Sequence, residues 1–152
     1  MANYKIHTGF NLFLMLPILI GLGYYFLQPS EKALIIFTAT FIYATLFMSP
    51  DLDLVHKIKL FSLRGLLTLP FRGYSKIFKH RGISHSLLLG SFTRIIWLSS
   101  LLFLFSFSFS FSENLLSFYK HFKTYFIYAL IGICLADWSH LLLDVKKTRK
   151  IK

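Results

Sequence analysis

Four stretches of the chain are apolar over most of their length, and polar residues separate each from the next. They run from about Gly9 to Leu27, from about Ala33 to Met48, from about Ser86 to Phe111, and from about Tyr125 to Leu143. A membrane-spanning helix needs about 20 mostly apolar residues. The pattern therefore predicts an all-α fold, an integral membrane bundle of four transmembrane helices, with residues 1–152 forming a single membrane-embedded domain.

Two parts of this pattern allow another interpretation. The first stretch has the Lys5-then-apolar order of a secretory signal, but no small-residue cleavage site follows it, so we expect a retained anchor. The Ser-Phe alternation from Phe105 to Ser112 mimics a strand. Because it continues an apolar run, we expect a helix there.

A segment of different character, from about Leu54 to Lys79, lies between the second and third stretches. Its apolar and basic residues alternate irregularly, and Pro70 and Gly73 interrupt it. The pattern predicts an amphipathic cytoplasmic segment that contacts anionic lipid headgroups. A simple solvated loop is the alternative.

Composition supports a membrane protein. Hydrophobic residues make up 55% of the chain, and 17 Lys and Arg against 6 Asp and Glu give a formal charge of +11. In so apolar a chain, a basic excess indicates cytoplasmic loops and lipid headgroups rather than nucleic acid. The single cysteine, Cys134, excludes a disulfide framework and a thiolate metal site.

The basic residues also predict orientation. With the N-terminus in the cytoplasm, the cytoplasmic side carries thirteen Lys and Arg, whereas the opposite side carries only Lys32, Lys120 and Lys123. Because basic loops stay in the cytoplasm, we predict a multi-pass protein of the bacterial inner membrane with both termini cytoplasmic.

Histidines and acids cluster at the boundaries of the apolar stretches. The charge-derived topology, which does not use these residues, places every cluster at the cytoplasmic face. An up-and-down bundle would bring them together, so we predict a divalent-metal site there. Its predicted ligands are His7, Asp51, Asp53, His80, His85, Asp137, His140 and Asp144. Histidine and carboxylate without cysteine suit zinc, or else manganese or iron, better than calcium.

The spacing at the end of the fourth stretch supports a shared site, since Asp137, His140 and Asp144 form one stripe of a helix. An aspartate within a span needs a partner, and no Lys or Arg lies in the span of Asp137, so a metal or the histidines must offset its charge. Alternatives without a metal remain. They are a helix cap at Asp51, headgroup-level positions for His80 and His85, and a hydrogen bond between helices at Asp137 and His140. His56 and His121 lack acidic neighbours, so we expect them to be surface residues.

Arg94 lies about two turns into the third stretch. One interpretation is that its side chain extends to the membrane interface. The other is that it faces the site and holds an anionic group such as phosphate.

These residues resemble a family of uncharacterised bacterial metal-binding membrane proteins. More distantly, the chain is similar to membrane-bound metal-dependent hydrolases of the YdjM type, and through them to zinc-dependent phospholipase C and P1 nuclease. The resemblance rests on His7 with Asn11, Ser49 to Asp53, His80 to Ser86, Gly90 with Arg94, and Asp137 to Asp144. It implies a metal cluster and a phosphoester substrate.

The hypothesis that follows is a metal-dependent hydrolase of a phosphoester, with a phospholipid as the expected substrate. Asp53 would act as general base, and Arg94 and Arg81 would hold phosphate oxygens. The alternatives are a non-catalytic metal-binding or metal-transport protein, as a homo-oligomer in the transport case, and a structural membrane protein without a metal.

Overall fold

The computed structural model describes residues 4–48, 61–77, 89–108 and 112–148. These parts of the chain are helical apart from short turns, and they contain no strand, which confirms the all-α prediction. The helices are α1 Tyr4–Phe10, a π-helical turn Asn11–Met15, α2 Leu16–Leu27, α3 Glu31–Phe47, α4 Leu63–Leu67, α5 Phe71–Ile77, α6 Leu89–Ser108 and α7 Ser112–Thr148.

The first two long helical runs form a hairpin with a sharply defined turn. Gln28 ends α2 in the left-handed conformation, with φ of 43°. The hydroxyl of Ser30 then accepts a hydrogen bond of 3.3 Å from the Ala33 amide and so caps α3. Glu31 in the first turn of α3 complements the positive end of the helix dipole.

α3 and α7 form the centre of the bundle because a glycine allows their backbones to approach closely. A Cβ atom on Gly132 would lie 2.9 Å from the carbonyl oxygen of Phe37 and would collide with the hydroxyl of Thr40. Small residues permit such contacts between helices in membranes. The core around this contact consists of Leu16, Phe37, Phe41, Ala44, Met48, Phe71, Tyr74, Ile133 and Ala136.

The contacts fix the relative directions of the helices. Phe37 lies beside Gly132, and Thr45 lies near Ala136, so α3 and α7 run in the same direction. Only residues 109–111 separate α6 from α7, and so short a connection joins antiparallel neighbours. As a result, the start of α1, the end of α3, the start of α6 and the last third of α7 share one end of the bundle.

Residues 61–77 dock onto α3 and α6. The Tyr43 hydroxyl donates a 3.0 Å hydrogen bond to the Leu67 carbonyl, and the Trp97 indole N–H donates one of 2.8 Å to the Pro70 carbonyl. Phe71 is fully buried, whereas Phe61 is fully exposed. A simple solvated loop therefore does not describe residues 61–77, because the segment docks onto the bundle, although several of its apolar side chains are exposed.

Two helical stretches are long and apolar enough to cross a bilayer, Lys5–Leu27 and Tyr119–Leu143. α3, with 17 residues, is shorter than these two stretches. The apolar part of α6, Leu89–Phe105, is also shorter than a membrane-spanning helix needs to be. The helix through the Ser-Phe alternation is confirmed for the described residues 105–108 and 112. Four transmembrane helices are not shown and remain a proposal.

We predict that Gly132→Ala destabilises the bundle by about 1–3 kcal/mol, the usual cost of overpacking, because the added methyl group meets α3. Thermal unfolding in detergent measures the effect. Gly21→Ala is the matched control, since a Cβ at Gly21 meets nothing within 4 Å. Equal stability of the two variants would contradict the close contact.

Candidate metal-site end of the bundle

Two of the predicted ligands, His7 of α1 and His140 of α7, are buried against each other. Their rings stack with centroids 4.1 Å apart and planes 19° apart. The side chains are only 2% and 4% exposed. The nitrogen lone pairs of two stacked rings lie in nearly parallel planes and do not point at a common position. One ring would therefore have to rotate before both could bind the same ion. The pair is thus adjacent but is not arranged as two converging ligands.

Asn11 joins three helical elements one turn below the histidines. Its amide nitrogen donates to the Ala136 carbonyl of α7 at 3.0 Å and to the Thr45 hydroxyl of α3 at 3.4 Å. The side chain is fully buried, and no group in the described part of the chain hydrogen-bonds its oxygen Oδ1. Asn11 therefore fixes α1 in register and keeps one buried acceptor available for a further donor or cation.

A buried ion pair connects α6 to α7 at the same level. Nη1 of Arg94 lies 2.6 Å from Oδ1 of Asp137, and the Ser91 hydroxyl donates a 2.9 Å hydrogen bond to Oδ2. Arg94 is 1% exposed and Asp137 is 2% exposed. The pair lies inside the bundle, away from solvent.

This ion pair corrects two expectations. The charge of Asp137 is offset by Arg94 from the neighbouring helix, so neither a metal nor a histidine is required for that purpose. Arg94 is not extended to the membrane interface, because its side chain is enclosed by the bundle. With one carboxylate oxygen on Arg94 and the other on Ser91, Asp137 serves to hold α6 against α7.

The described residues contain no group of three or more His, Cys, Asp or Glu side chains arranged to hold a metal. Five predicted site residues lie outside the described residues, as does the side chain of Asp144. The five are Asp51, Asp53, His80, Arg81 and His85. The described helices nevertheless end or begin within a few residues of them, since α3 ends at Phe47 and α6 begins at Leu89. Their roles stay predictions.

Sequence reasoning missed Ser91 and Thr45, and it missed Arg94 as the partner of Asp137. One signal was available for the pair. Arg94 lies eight residues inside the start of the third apolar stretch, and Asp137 lies six residues before the end of the fourth. Since both boundaries are on the same side, the two charges have similar depth. No such signal marks the serine and threonine, which are common in helices.

We predict that Arg94→Met and Asp137→Leu each destabilise the protein by about 3–5 kcal/mol, because each leaves a buried charge unpaired. The double variant should be much less destabilised than the sum of the two, since it removes both charges. A double-mutant cycle of unfolding free energies measures the coupling. Additive effects would mean that the two side chains do not form the pair.

The comparisons with known proteins point to a metal. No curated protein and no solved structure matches the chain, and nothing in the comparisons supports the distant similarity to YdjM-type hydrolases or zinc phospholipase C. A family model described as "Uncharacterized metal-binding protein (DUF2227)" matches residues 3–151. The match includes every histidine and acidic residue discussed above. The chain therefore belongs to the family of uncharacterised metal-binding proteins DUF2227.

Proposed function

We propose that this chain is an integral membrane protein that binds a divalent metal ion at the end of the bundle where α1, α3, α6 and α7 meet. The observation that carries the proposal is the burial of His7 and His140 side by side, from opposite ends of the chain, where rotation of one ring would let both bind the same ion. Imidazoles are the commonest nitrogen ligands of metals in proteins. Membership of a metal-binding family supports the same chemistry.

The remaining ligands are proposed from segments attached directly to this end. A chain extends at most about 3.6 Å per residue. Asp51 follows the buried Met48 by three residues, so its Cα atom lies within about 11 Å of the Met48 Cα. His85 precedes Leu89 by four residues, which limits that separation to about 14 Å. These short connections limit how far Asp51 and His85 can lie from the described ends of α3 and α6.

The proposed ligand set is His7, Asp51, Asp53, His80, His85, His140 and Asp144, shared by one or more ions. Histidine and carboxylate donors suit zinc best, with manganese or iron as alternatives. The buried Oδ1 atom of Asn11 adds an uncharged oxygen close to the histidines. Asp137 is left out of this set because Arg94 and Ser91 already occupy its two oxygens.

Membrane insertion is supported by what the helices expose. Within the most apolar windows of Lys5–Leu27 and Tyr119–Leu143, only 11% and 33% of residues are buried in the bundle. The core helix of a soluble protein is mostly buried. Large side chains such as Phe13, Tyr25 and Phe26 are more than two-thirds exposed, as expected for contact with lipid. α3 and α6 would then complete four spans, with both termini cytoplasmic.

The exposed apolar side chains of residues 61–77 suit contact with a membrane surface. Phe61, Leu66, Leu69 and Ile77 are exposed, and the basic Lys76 precedes Ile77. Exposed apolar side chains with a neighbouring positive charge suit the headgroup region of an anionic leaflet. We propose anionic lipid headgroups as the partner of this segment.

A finer proposal is hydrolysis of a phosphoester, with a phospholipid as substrate. When bound, a divalent metal lowers the pKa of a coordinated water and polarises a phosphoryl oxygen. Asp53 would accept the proton of the attacking water, and Arg81 would hold phosphate oxygens. Arg94 is not assigned to phosphate, because its guanidinium is buried on Asp137.

We predict that His7→Ala and Asp51→Ala reduce the metal content of purified protein to about a tenth or less, because each removes a proposed ligand. Inductively coupled plasma mass spectrometry measures the bound ion. His121→Ala is the matched control, since His121 is an exposed histidine of α7 remote from this end. Unchanged metal in both ligand variants would eliminate the proposed site.

We also predict that purified protein hydrolyses a phospholipid analogue and that a chelator abolishes the activity. Added zinc or manganese should restore turnover to the native chain but not to Asp51→Ala. Hydrolysis of a phosphodiester yields an alcohol and a phosphomonoester, so release of the headgroup, as the free alcohol or its phosphomonoester, from mixed micelles measures the reaction. A chain that holds stoichiometric metal yet shows no turnover would instead be a non-catalytic metal-binding or transport protein.

A further inference from the structure

The π-helical turn Asn11–Met15 interrupts an otherwise α-helical run from residue 4 to residue 27. The amide of Leu16 donates to the carbonyl of Asn11, five residues earlier, instead of four as in an α-helix. Phe10 and Leu16, on either side of the turn, have ordinary right-handed helical dihedral angles. The turn thus adds one residue to the helix without breaking it.

The burial pattern changes register at this turn. His7 and Asn11 are buried four residues apart, whereas the next buried residue, Leu16, follows Asn11 by five. Leu19 and Ile20 continue the inward face after Leu16. In a regular α-helix each residue advances by about 100°, so a separation of five residues leaves two side chains about 140° apart. Because the hydrogen bonds of a π turn join residues five apart, the turn brings Asn11 and Leu16 back onto the same face of the helix.

Two neighbouring residues account for the turn at this position. The Asn11 side chain bonds both α3 and α7, which fixes the start of the turn against the bundle. Pro17 follows in the first turn of α2. Its ring has no N–H to donate and clashes with the carbonyl four residues earlier in a regular α-helix. A wider turn before Pro17 avoids that conflict.

We propose that the extra residue of the π turn is a positioning device, which rotates His7 onto His140 while α2 keeps its packing on α3 and α7. This inference rests on the proposed metal site, because it explains how one helix serves both the site and the apolar core. π-helical turns within helices are frequently found at functional sites. Without the extra residue, the two halves of the helix would face different directions.

Deletion of Phe13 tests the proposal. Phe13 is 84% exposed, so its removal costs few contacts but shortens the turn by one residue. Residues 4–12 should then rotate by about 100° relative to α2. The length-preserving control is Phe13→Ala. A rescue variant combines the deletion with one alanine inserted after Met15, which restores the residue count between Asn11 and Leu16.

The first readout does not depend on metal. In a Cys134→Ser background, a cysteine pair made by His7→Cys with His140→Cys should form a disulfide on oxidation, because the two side chains are adjacent. We expect the disulfide with Phe13→Ala and with the rescue variant, and its loss on deletion of Phe13. Insertion of one alanine after Met15, without the deletion, removes no contact and should also lose it.

The second readout is metal content in chains that retain both histidines. Deletion of Phe13 should lower it at least tenfold, and the rescue variant should restore it. The positioning role is wrong if a folded variant with one residue deleted or inserted forms the cross-link as efficiently as Phe13→Ala does. If the native chain binds no metal but cross-linking follows the residue count, the proposed function fails while the positioning role stands.

Discussion

A carboxylate inside an apolar helical bundle has to be neutralised by a partner at the same depth, and the arrangement of this protein depends on that constraint. Asp137 of α7 obtains its partner from Arg94 of α6. The short ion pair sets the lateral position and the axial register of α6 together. Because α6 begins only a few residues before Arg94, the start of α6 is brought to the same end of the bundle as His140.

α7 serves as the common reference for the other helices. Within a little more than one turn, it presents Ala136 to Asn11, Asp137 to Arg94, and His140 to His7. α3 packs against the preceding turns around Gly132. The polar contacts therefore lie in one layer above an apolar region, and this layer is where the proposed metal site would be supported by rigid helices.

The sequence was sufficient to predict a helical protein and to place His7 and His140 at the same end of the bundle, because apolar runs and basic-residue asymmetry depend on local composition. The role of the two histidines as metal ligands stays a prediction. The sequence was insufficient for the Arg94–Asp137 pair, since partners on different helices are selected by rotation as well as depth. The π turn at Asn11 could not be read from periodicity either. A shift of one residue in a short, largely apolar helix leaves the pattern almost unchanged, because nearly every position there is apolar.

The ion pair also bears on how the chain would reach its final state in a bilayer. A helix with an isolated arginine or aspartate at its centre costs about 2.5–3.5 kcal/mol to insert through the translocation machinery. In the proposed membrane bundle, α6 carries Arg94 near its start and α7 carries Asp137 in its last third, so each helix would meet part of this cost, and only residues 109–111 separate the two helices. Their charges would cancel if the two helices left the channel together. Biogenesis of this protein would therefore favour delayed release of α6 until α7 has been synthesised.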